Sequence, residues 1–330
     1  MKIENKRFFL VTILCIMFFL SIPVFINYFL NPYGVFFKYK NFNVSTPINE
    51  RYIKTSYILN NPKKYDSFIF GSSRVGVLEG EKLSKIGKFY NMTFAGALPI
   101  EILDILKTFE EKNIKIKNII LGIDDFDFLT EPKLNEKILY KISYKKLQKN
   151  KGLFFKYYLL KNPFNEVNKL YVSNKEKTYY DILNTGKWEK SYADVKIEND
   201  IESHKKNLSK IEIYPSNTIR IKETILEIES IIKLCERNNI KLMVVYLPRY
   251  VNSYIANRKV IEESKIELQK KTGYWDFVQL DKYTNNEYYW YEESHYRPVL
   301  GRMILKRIFN ENFEENIKVP NNFGKYKEKL

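Results

Sequence analysis

The 330 residues are 45% hydrophobic and 28% charged, which excludes an intrinsically disordered chain and allows one sizeable buried core. With 12 Gly and 11 Pro, the chain lacks the long flexible linkers that separate independent domains. The formal net charge of +16 comes mainly from Lys, and no periodic basic face accompanies it, so nucleic acid is not predicted as a partner.

A long apolar run begins close to the N-terminus. Residues 8–37 contain no charge, and as a helix the run is long enough to cross the roughly 30 Å hydrocarbon core of a bilayer. Lys2, Lys6 and Arg7 precede it, which favours a cytoplasmic N-terminus. The run exceeds the about 7–15 apolar residues of a signal peptide, and no small-x-small cleavage site follows. An uncleaved anchor over residues 1–30 and an extracytoplasmic remainder are predicted.

Regular alternation of strands and helices starts after residue 62. Residues 31–62 show no sustained period and are interpreted as a stalk, and residues 63–330 are interpreted as the folded domain. The alternation breaks down over residues 131–215, which are interpreted as an insertion. Strands are predicted at 67–70, 88–93, 118–123, 241–247 and 274–278. Helices are predicted from Pro99, at 218–237, at 256–271 and from about Pro298.

Apolar strands that alternate with amphipathic helices are typical of right-handed βαβ units around a buried parallel sheet. The predicted fold is therefore an α/β three-layer αβα sandwich with a central parallel sheet. In such sheets the functional site lies at the carboxyl ends of the strands. Three turns are expected to meet there: residues 71–74 (GSSR), 95–97 (AGA) and 122–125 (GIDD).

A serine and a histidine follow strands at the two ends of the domain. Ser73 lies in the GSSR turn, where the following helix offers N–H groups to an oxyanion. His295 lies between the last strand and the last helix, at the same sheet edge. A serine hydroxyl needs an imidazole to take its proton and a carboxylate to orient that imidazole. Glu292 is the predicted carboxylate, and Glu293 and Asp276 are the alternatives.

Structural roles are the other interpretation of these residues. Ser72 and Ser73 are also typical helix N-caps, and His295 is compatible with purely structural hydrogen bonds. The second histidine, His204, has Ile201 three residues before it and lies in the irregular region. It is interpreted as a surface residue.

The order of motifs resembles the SGNH, or GDSL-like, hydrolase superfamily. The matching stretches are SFIFGSSR, YNMTFAG, IILGIDD, KLMVVYLP and YEESHYRPVLG, within residues 65–128 and 221–309. The similarity is greatest to its membrane-anchored bacterial branch, which includes the teichoic-acid D-alanylation protein. The resemblance implies a flavodoxin-like SGNH fold, with Ser73 as nucleophile, Gly96 as an oxyanion donor and His295 as base.

Two positions depart from the family pattern. The acid before the histidine is usually Asp, whereas Glu292 is one methylene longer. The position of the oxyanion-binding Asn is held by Asp124, and an ionised carboxylate cannot donate a hydrogen bond. The N–H groups of Ser73 and Gly96 are then the remaining oxyanion donors, and loss of one such donor typically costs on the order of 100-fold in rate.

The resemblance implies an extracytoplasmic serine esterase or O-acyltransferase that acts on acyl groups of a cell-envelope polysaccharide or related polymer. Such chemistry requires no metal ion and no organic cofactor. The expected partners are the membrane, an envelope glycan or acyl donor as substrate, and a membrane-bound O-acyltransferase. The alternative is a non-catalytic SGNH-like partner of that acyltransferase.

A third interpretation concerns the acidic residues after the third strand. Asp125 and Asp127 are similar to the DxD motif of haloacid-dehalogenase-type phosphatases, with Asp125 as nucleophile. Leu129 stands where that motif has Thr or Val, and the strand is third rather than first. A structural role for these carboxylates is the competing interpretation.

Overall fold

The computed structural model describes residues 2–36, 42–43, 48–135, 139–162, 179–208, 219–310 and 318–330. It is a mixed α/β architecture with a mostly parallel central sheet and one N-terminal apolar helix. The strands are β1 (Phe42–Asn43), β2 (Ser67–Phe70), β3 (Phe89–Asn91), β4 (Asn118–Ile123), β5 (Tyr179–Tyr180), β6 (Trp188–Glu189), β7 (Lys241–Tyr246), β8 (Tyr274–Asp276), β9 (Trp290–Glu292), β10 (His295–Tyr296) and β11 (Lys325–Lys327).

The α-helices are α1 (Lys2–Leu30), α2 (Glu50–Asn60), α3 (Pro99–Glu111), α4 (Asp125–Leu129), α5 (Pro132–Asn135), α6 (Tyr144–Lys149), α7 (Lys151–Tyr158), α8 (Ser191–Asn199), α9 (Ile201–Leu208), α10 (Ile221–Arg237), α11 (Val251–Gln269) and α12 (Pro298–Phe309). Short 3₁₀ helices cover Ser73–Val77, Gly80–Leu83, Leu139–Lys141 and Glu287–Tyr289.

In the described part of the chain, the central sheet has six strands in the order β11-β8-β7-β4-β2-β3. The five from β3 to β8 are parallel, and β11 adds to β8 antiparallel at the edge. Every residue of β2, β3 and β4 is buried. Strands buried on both faces read as continuous apolar runs, which is why SFIF and NIILGI were recognisable in the sequence.

Two hydrophobic clusters lie on opposite faces of the sheet, because successive side chains of a strand point to opposite sides. Phe68 and Leu121 belong to the cluster that includes the apolar faces of α3, α10 and α11. Ile69 and Ile120 belong to the cluster that includes the apolar face of α12. With helices on both faces, the carboxyl edge of the parallel strands stays open for a site.

Helix α1 carries the apolar N-terminal run. Its residues Asn5–Leu30 are long and apolar enough to span a membrane, and the same properties fit an N-terminal signal sequence. The C-terminal end of this helix makes hydrogen bonds with a distant part of the chain. The Asn27 side chain is buried and donates to the carbonyl oxygens of Leu159 at 2.9 Å and Lys161 at 2.7 Å. Tyr33, just beyond the helix, packs on Tyr158.

Helix α2 lies within residues 31–62, which were interpreted as a stalk, and it is built into the core of the domain. Ile53 and Ile58 are buried in the main cluster. Three charged side chains of α2 are buried as well: Glu50, Arg51 and Lys54. Because charged residues lie on the buried face of α2, the helix shows no regular apolar spacing in the sequence. The buried charges are tolerated because each forms an ion pair within the protein.

The predicted insertion, residues 131–215, contains α5 to α9 and two of the three short antiparallel strands in the order β1-β5-β6. Three parts of it lie outside the described residues: 136–138, 163–178 and 209–215. The described part is packed against the domain, since Tyr180, Ile182 and Trp188 belong to the main core cluster.

Candidate active site

The turn after β2 exposes a serine above the sheet edge. Gly71 has φ +154°, and a Cβ there would lie 2.9 Å from Val75 and 3.0 Å from the carbonyl oxygen of Gly122, so a side chain would strain the turn. Ser72 is the N-cap of the 3₁₀ helix that follows. The chain thereby buries the Ser72 side chain and leaves Ser73 partly exposed.

Ser73, His295 and Glu292 lie in one hydrogen-bonded line. The Ser73 Oγ is 2.6 Å from the His295 Nε2, and the His295 Nδ1 contacts the Glu292 Oε1. His295 and Glu292 face each other in register across the antiparallel strands β9 and β10. Their side chains are 25% and 48% exposed, so the line opens toward solvent. The structure therefore brings the predicted serine, histidine and carboxylate together.

The two contacts of the imidazole define its working tautomer. When Nδ1 carries the hydrogen and donates it to Glu292, Nε2 is left to accept from the Ser73 hydroxyl. Burial lowers the pKa of His295 below 6.5, although the nearby Glu292 opposes this shift. Burial raises the pKa of Glu292, but the hydrogen bond with His295 and the charges of His295 and Lys190 together outweigh burial and hold the pKa below its usual value. A neutral base beside an ionised carboxylate is the state that accepts a proton.

The other two candidate carboxylates have different partners. Glu293 is buried and accepts a hydrogen bond from the Ser253 Oγ at 3.2 Å. Asp276 pairs with the Lys265 Nζ at 3.0 Å and accepts from the backbone N–H of Val278 at 2.9 Å. Of the three predicted alternatives, Glu292 is the one that contacts the histidine.

Asp124 is fully buried and holds the serine turn in place. Its carboxylate accepts from the Ser72 Oγ at 2.6 Å and from the backbone N–H of Phe126 at 2.8 Å, and it pairs with Arg74. These are accepted hydrogen bonds, as the sequence predicted for an ionised Asp at this position. The Arg74 guanidinium explains why a carboxylate is accommodated at position 124. Burial lowers the pKa of Arg74, but the charges of Asp124 and Asp125 outweigh burial and raise that pKa.

Asp125 is buried beside two arginines. One of its oxygens lies 3.0 Å from the Arg249 Nε and 3.1 Å from Arg74, and the other accepts from the Asn257 side chain at 2.8 Å. Burial raises the pKa of Asp125, but the charges of Arg249 and Arg74 outweigh it and lower the pKa. With both oxygens engaged and the side chain buried, this geometry favours a structural role over that of a phosphatase nucleophile.

Gly96 lies in the turn after β3, at φ +60°, and a Cβ there would come within 2.7 Å of the Lys141 Nζ. Its carbonyl oxygen accepts from Arg51 at 3.1 Å. The end of β3 is joined to the serine turn by Thr93, whose Oγ1 donates to the carbonyl oxygen of Ser72 at 2.8 Å. The turn is thus next to the serine turn along the sheet edge, and the role of Gly96 as an oxyanion donor stays a prediction.

Trp188 and Lys190 are site residues that the sequence did not identify. The Trp188 ring lies 6.1 Å from the His295 ring, centroid to centroid, and packs over Gly76. The Lys190 Nζ lies over the rings of Trp188 and Tyr291, at 5.6 and 4.6 Å from their centroids. Both residues come from the region without a sequence period, so no pattern linked them to the histidine.

No protein-family model matches the chain, and no curated protein matches it. The fold and the site define a mixed α/β protein with a Ser–His–Glu arrangement at the carboxyl edge of a mostly parallel sheet. Chemically, this arrangement is able to remove the proton of a hydroxyl group and to stabilise the imidazolium that results.

Proposed function

We propose that this protein is an extracytoplasmic serine esterase or O-acyltransferase of the SGNH type that acts on acyl groups of a cell-envelope polysaccharide or related polymer. The observation that carries the proposal is the 2.6 Å contact of the Ser73 Oγ with the His295 Nε2, with Glu292 on the other ring nitrogen. The position of this line at the sheet edge, where parallel sheets hold their sites, supports it.

In the proposed reaction, the Ser73 Oγ attacks the acyl carbonyl carbon while His295 takes the hydroxyl proton. Glu292 stabilises the imidazolium. The tetrahedral intermediate then releases an alcohol, which takes the proton from His295, and leaves an acyl group on Ser73. Water attacks this ester in an esterase, and an acceptor hydroxyl attacks it in a transferase, with His295 again removing the proton. The bond between the acyl carbon and the Ser73 Oγ then breaks, and the Ser73 oxygen takes the proton back from His295.

The oxyanion of the intermediate would be held by the backbone N–H groups of Ser73 and Gly96. Asp124 accepts hydrogen bonds and so supplies no donor. An oxyanion hole with these two donors has one hydrogen-bond donor fewer than one that also has an Asn side chain. Loss of one such donor typically costs on the order of 100-fold in rate. Slow turnover on simple esters is therefore expected.

The proposed location rests on α1. If this helix spans the membrane, the basic residues before it favour a cytoplasmic N-terminus and place the domain on the outer side. An envelope polymer is within reach of a domain held at that surface. The non-catalytic partner of a membrane-bound acyltransferase shares this location, and the following assay separates the two functions.

The test is release of p-nitrophenol from p-nitrophenyl acetate by the full chain in detergent, because Asn27 ties α1 to the rest of the protein. Release is expected from wild type and not from Ser73→Ala or His295→Ala. The matched control is His204→Ala, since the His204 Nε2 contacts the carbonyl oxygen of Trp290 and not the serine. Wild type that releases no more than Ser73→Ala would contradict the esterase function and favour the binding partner.

A further inference from the structure

The first turn of α2 contacts two parts of the candidate site. Glu50 is 3% exposed, and its two carboxylate oxygens accept from different elements. Oε1 accepts from the indole N–H of Trp188 at 2.9 Å, and Oε2 accepts from the backbone N–H of Ala95 at 3.2 Å. One carboxylate thus joins the ring that lies against His295 to the turn that contains Gly96.

Arg51 holds the same turn from its other side. Its guanidinium donates to the carbonyl oxygens of Ala95 and Gly96, both at 3.1 Å. It also makes a two-point contact with Glu101, at 2.7 and 2.9 Å, at the start of α3. The guanidinium lies 4.3 Å from the centroid of the Phe94 ring, which fixes its plane.

Both charges are nearly inaccessible to water, and burial of a charge is unfavourable unless it is paired and hydrogen-bonded. Apolar side chains of similar volume would hold α2 in the core at no such cost. The charged side chains of Glu50 and Arg51 do what apolar ones cannot do, because together they make three hydrogen bonds with the backbone of residues 95–96.

We infer that Glu50 and Arg51 are positioning residues of the active site. Both hold the Ala95–Gly96 turn in place, and Glu50 also holds the Trp188 ring against His295. The inference rests on the proposed function. It assigns a role in the reaction to a helix that lies before the sheet in the chain. Displacing an oxyanion donor or catalytic group by about 1 Å typically costs on the order of 100-fold in rate, so a shift of this turn is expected to slow the reaction more than it weakens binding.

The test compares Arg51→Lys with Arg220→Lys in the full chain. A lysine at 51 keeps the charge beside Glu101, but one ammonium cannot reproduce the planar fork that reaches both carbonyl groups. Arg220 is the matched control, because it is also buried and donates to a carbonyl oxygen, that of Thr130, and to a carboxylate, that of Glu227.

The readout is the rate of covalent labelling of Ser73 by a fluorophosphonate, resolved into kinact and KI. In this reaction the Ser73 oxygen bonds to phosphorus, fluoride leaves, and the proton passes to His295. Arg51→Lys is expected to lower kinact about 10–100-fold with KI within about twofold, and Arg220→Lys to leave both within about twofold. A role limited to holding the fold would lower thermal stability in both variants and leave kinact unchanged.

Glu50→Gln is the second variant, and it decides the question if Arg51→Lys loses its cooperative melt. The amide has one acceptor oxygen in place of the two that serve Trp188 and Ala95. Lys54 loses its carboxylate partner in this variant but keeps the carbonyl oxygens of Thr93 and Gly186 as acceptors. A fall in kinact of about tenfold or more is expected. If wild type is labelled at Ser73 and the folded variants are labelled equally fast, this inference alone is overturned. If wild type is not labelled at Ser73, the proposed function is overturned and the inference with it.

Discussion

Arg74 donates a hydrogen bond from its Nε to the carbonyl oxygen of Ser294, across 3.0 Å. Arg74 directly follows Ser73 in the chain, and Ser294 directly precedes His295. The serine turn and the histidine loop are therefore joined by a partly buried hydrogen bond in addition to the contact between the Ser73 and His295 side chains. The carboxylates of Asp124 and Asp125 hold the guanidinium that makes this contact.

Removal of this guanidinium is expected to destabilise the fold. Arg74→Met removes the positive charge that pairs with Asp124 and Asp125. Loss of one partner from a buried ion pair typically lowers the free energy of unfolding by about 3–5 kcal/mol. Chemical denaturation of the full chain in detergent, followed by tryptophan fluorescence, measures the free energy of unfolding. Adding Asp124→Asn to Arg74→Met should recover part of the loss. Equal unfolding free energies for wild type and Arg74→Met would contradict this account of the cluster.

The two adjacent glutamates are expected to differ sharply. Glu292→Gln removes the charge that stabilises the imidazolium and disturbs the His295 tautomer, so the rate should fall by about 10³-fold or more. Glu293→Gln is the matched control, since Glu293 contacts Ser253 and not the histidine, and its rate should stay within about threefold of wild type. The rate of p-nitrophenyl acetate hydrolysis measures both. A larger loss in Glu293→Gln than in Glu292→Gln would assign the acid to Glu293.

The pH dependence follows from the direction of the His295 shift. Burial lowers the pKa of His295 below 6.5, and the charges of Lys190 and Arg74 act in the same direction, while Glu292 opposes them. Only the neutral imidazole accepts the serine proton, and a lowered pKa keeps it neutral in more acidic solution. The half-maximum of the rate on the acid side should therefore lie below pH 6.5, with the plateau at higher pH. Hydrolysis rates from about pH 4.5 to 8 test this, and a half-maximum above pH 6.5 would contradict it.

Several elements of the fold were predictable from the sequence because burial left a local pattern. Strand β4 was predicted at residues 118–123 and is found there, since all of its residues are buried and four of the six are Ile or Leu. The line from Ser73 to Glu292 was predictable for another reason. Ser73 comes just after β2, and Glu292 and His295 come between β8 and the last helix, and parallel sheets gather the segments that follow their strands at one edge.

The support of the site was not predictable, because it depends on contacts between segments without a pattern. Glu50 and Arg51 are charged, and charged residues in an unperiodic stretch are typical of a solvated stalk. Trp188 lies in a strand of two residues, too short for alternation to show. Its neighbours Glu50 and His295 are more than 100 positions away in the chain, so only the folded structure brings the three together.

The measurement that tests the central claim most directly is fluorophosphonate labelling of the full chain, followed by mass spectrometry of the modified peptide. Ser72 and Ser73 are adjacent, but the Ser72 Oγ donates to the buried Asp124 whereas the Ser73 Oγ contacts His295. Labelling on Ser73 is expected in wild type and in Ser72→Ala, and none in Ser73→Ala. Absence of labelling in folded wild type, or equal labelling in Ser73→Ala, would contradict a serine nucleophile at this site.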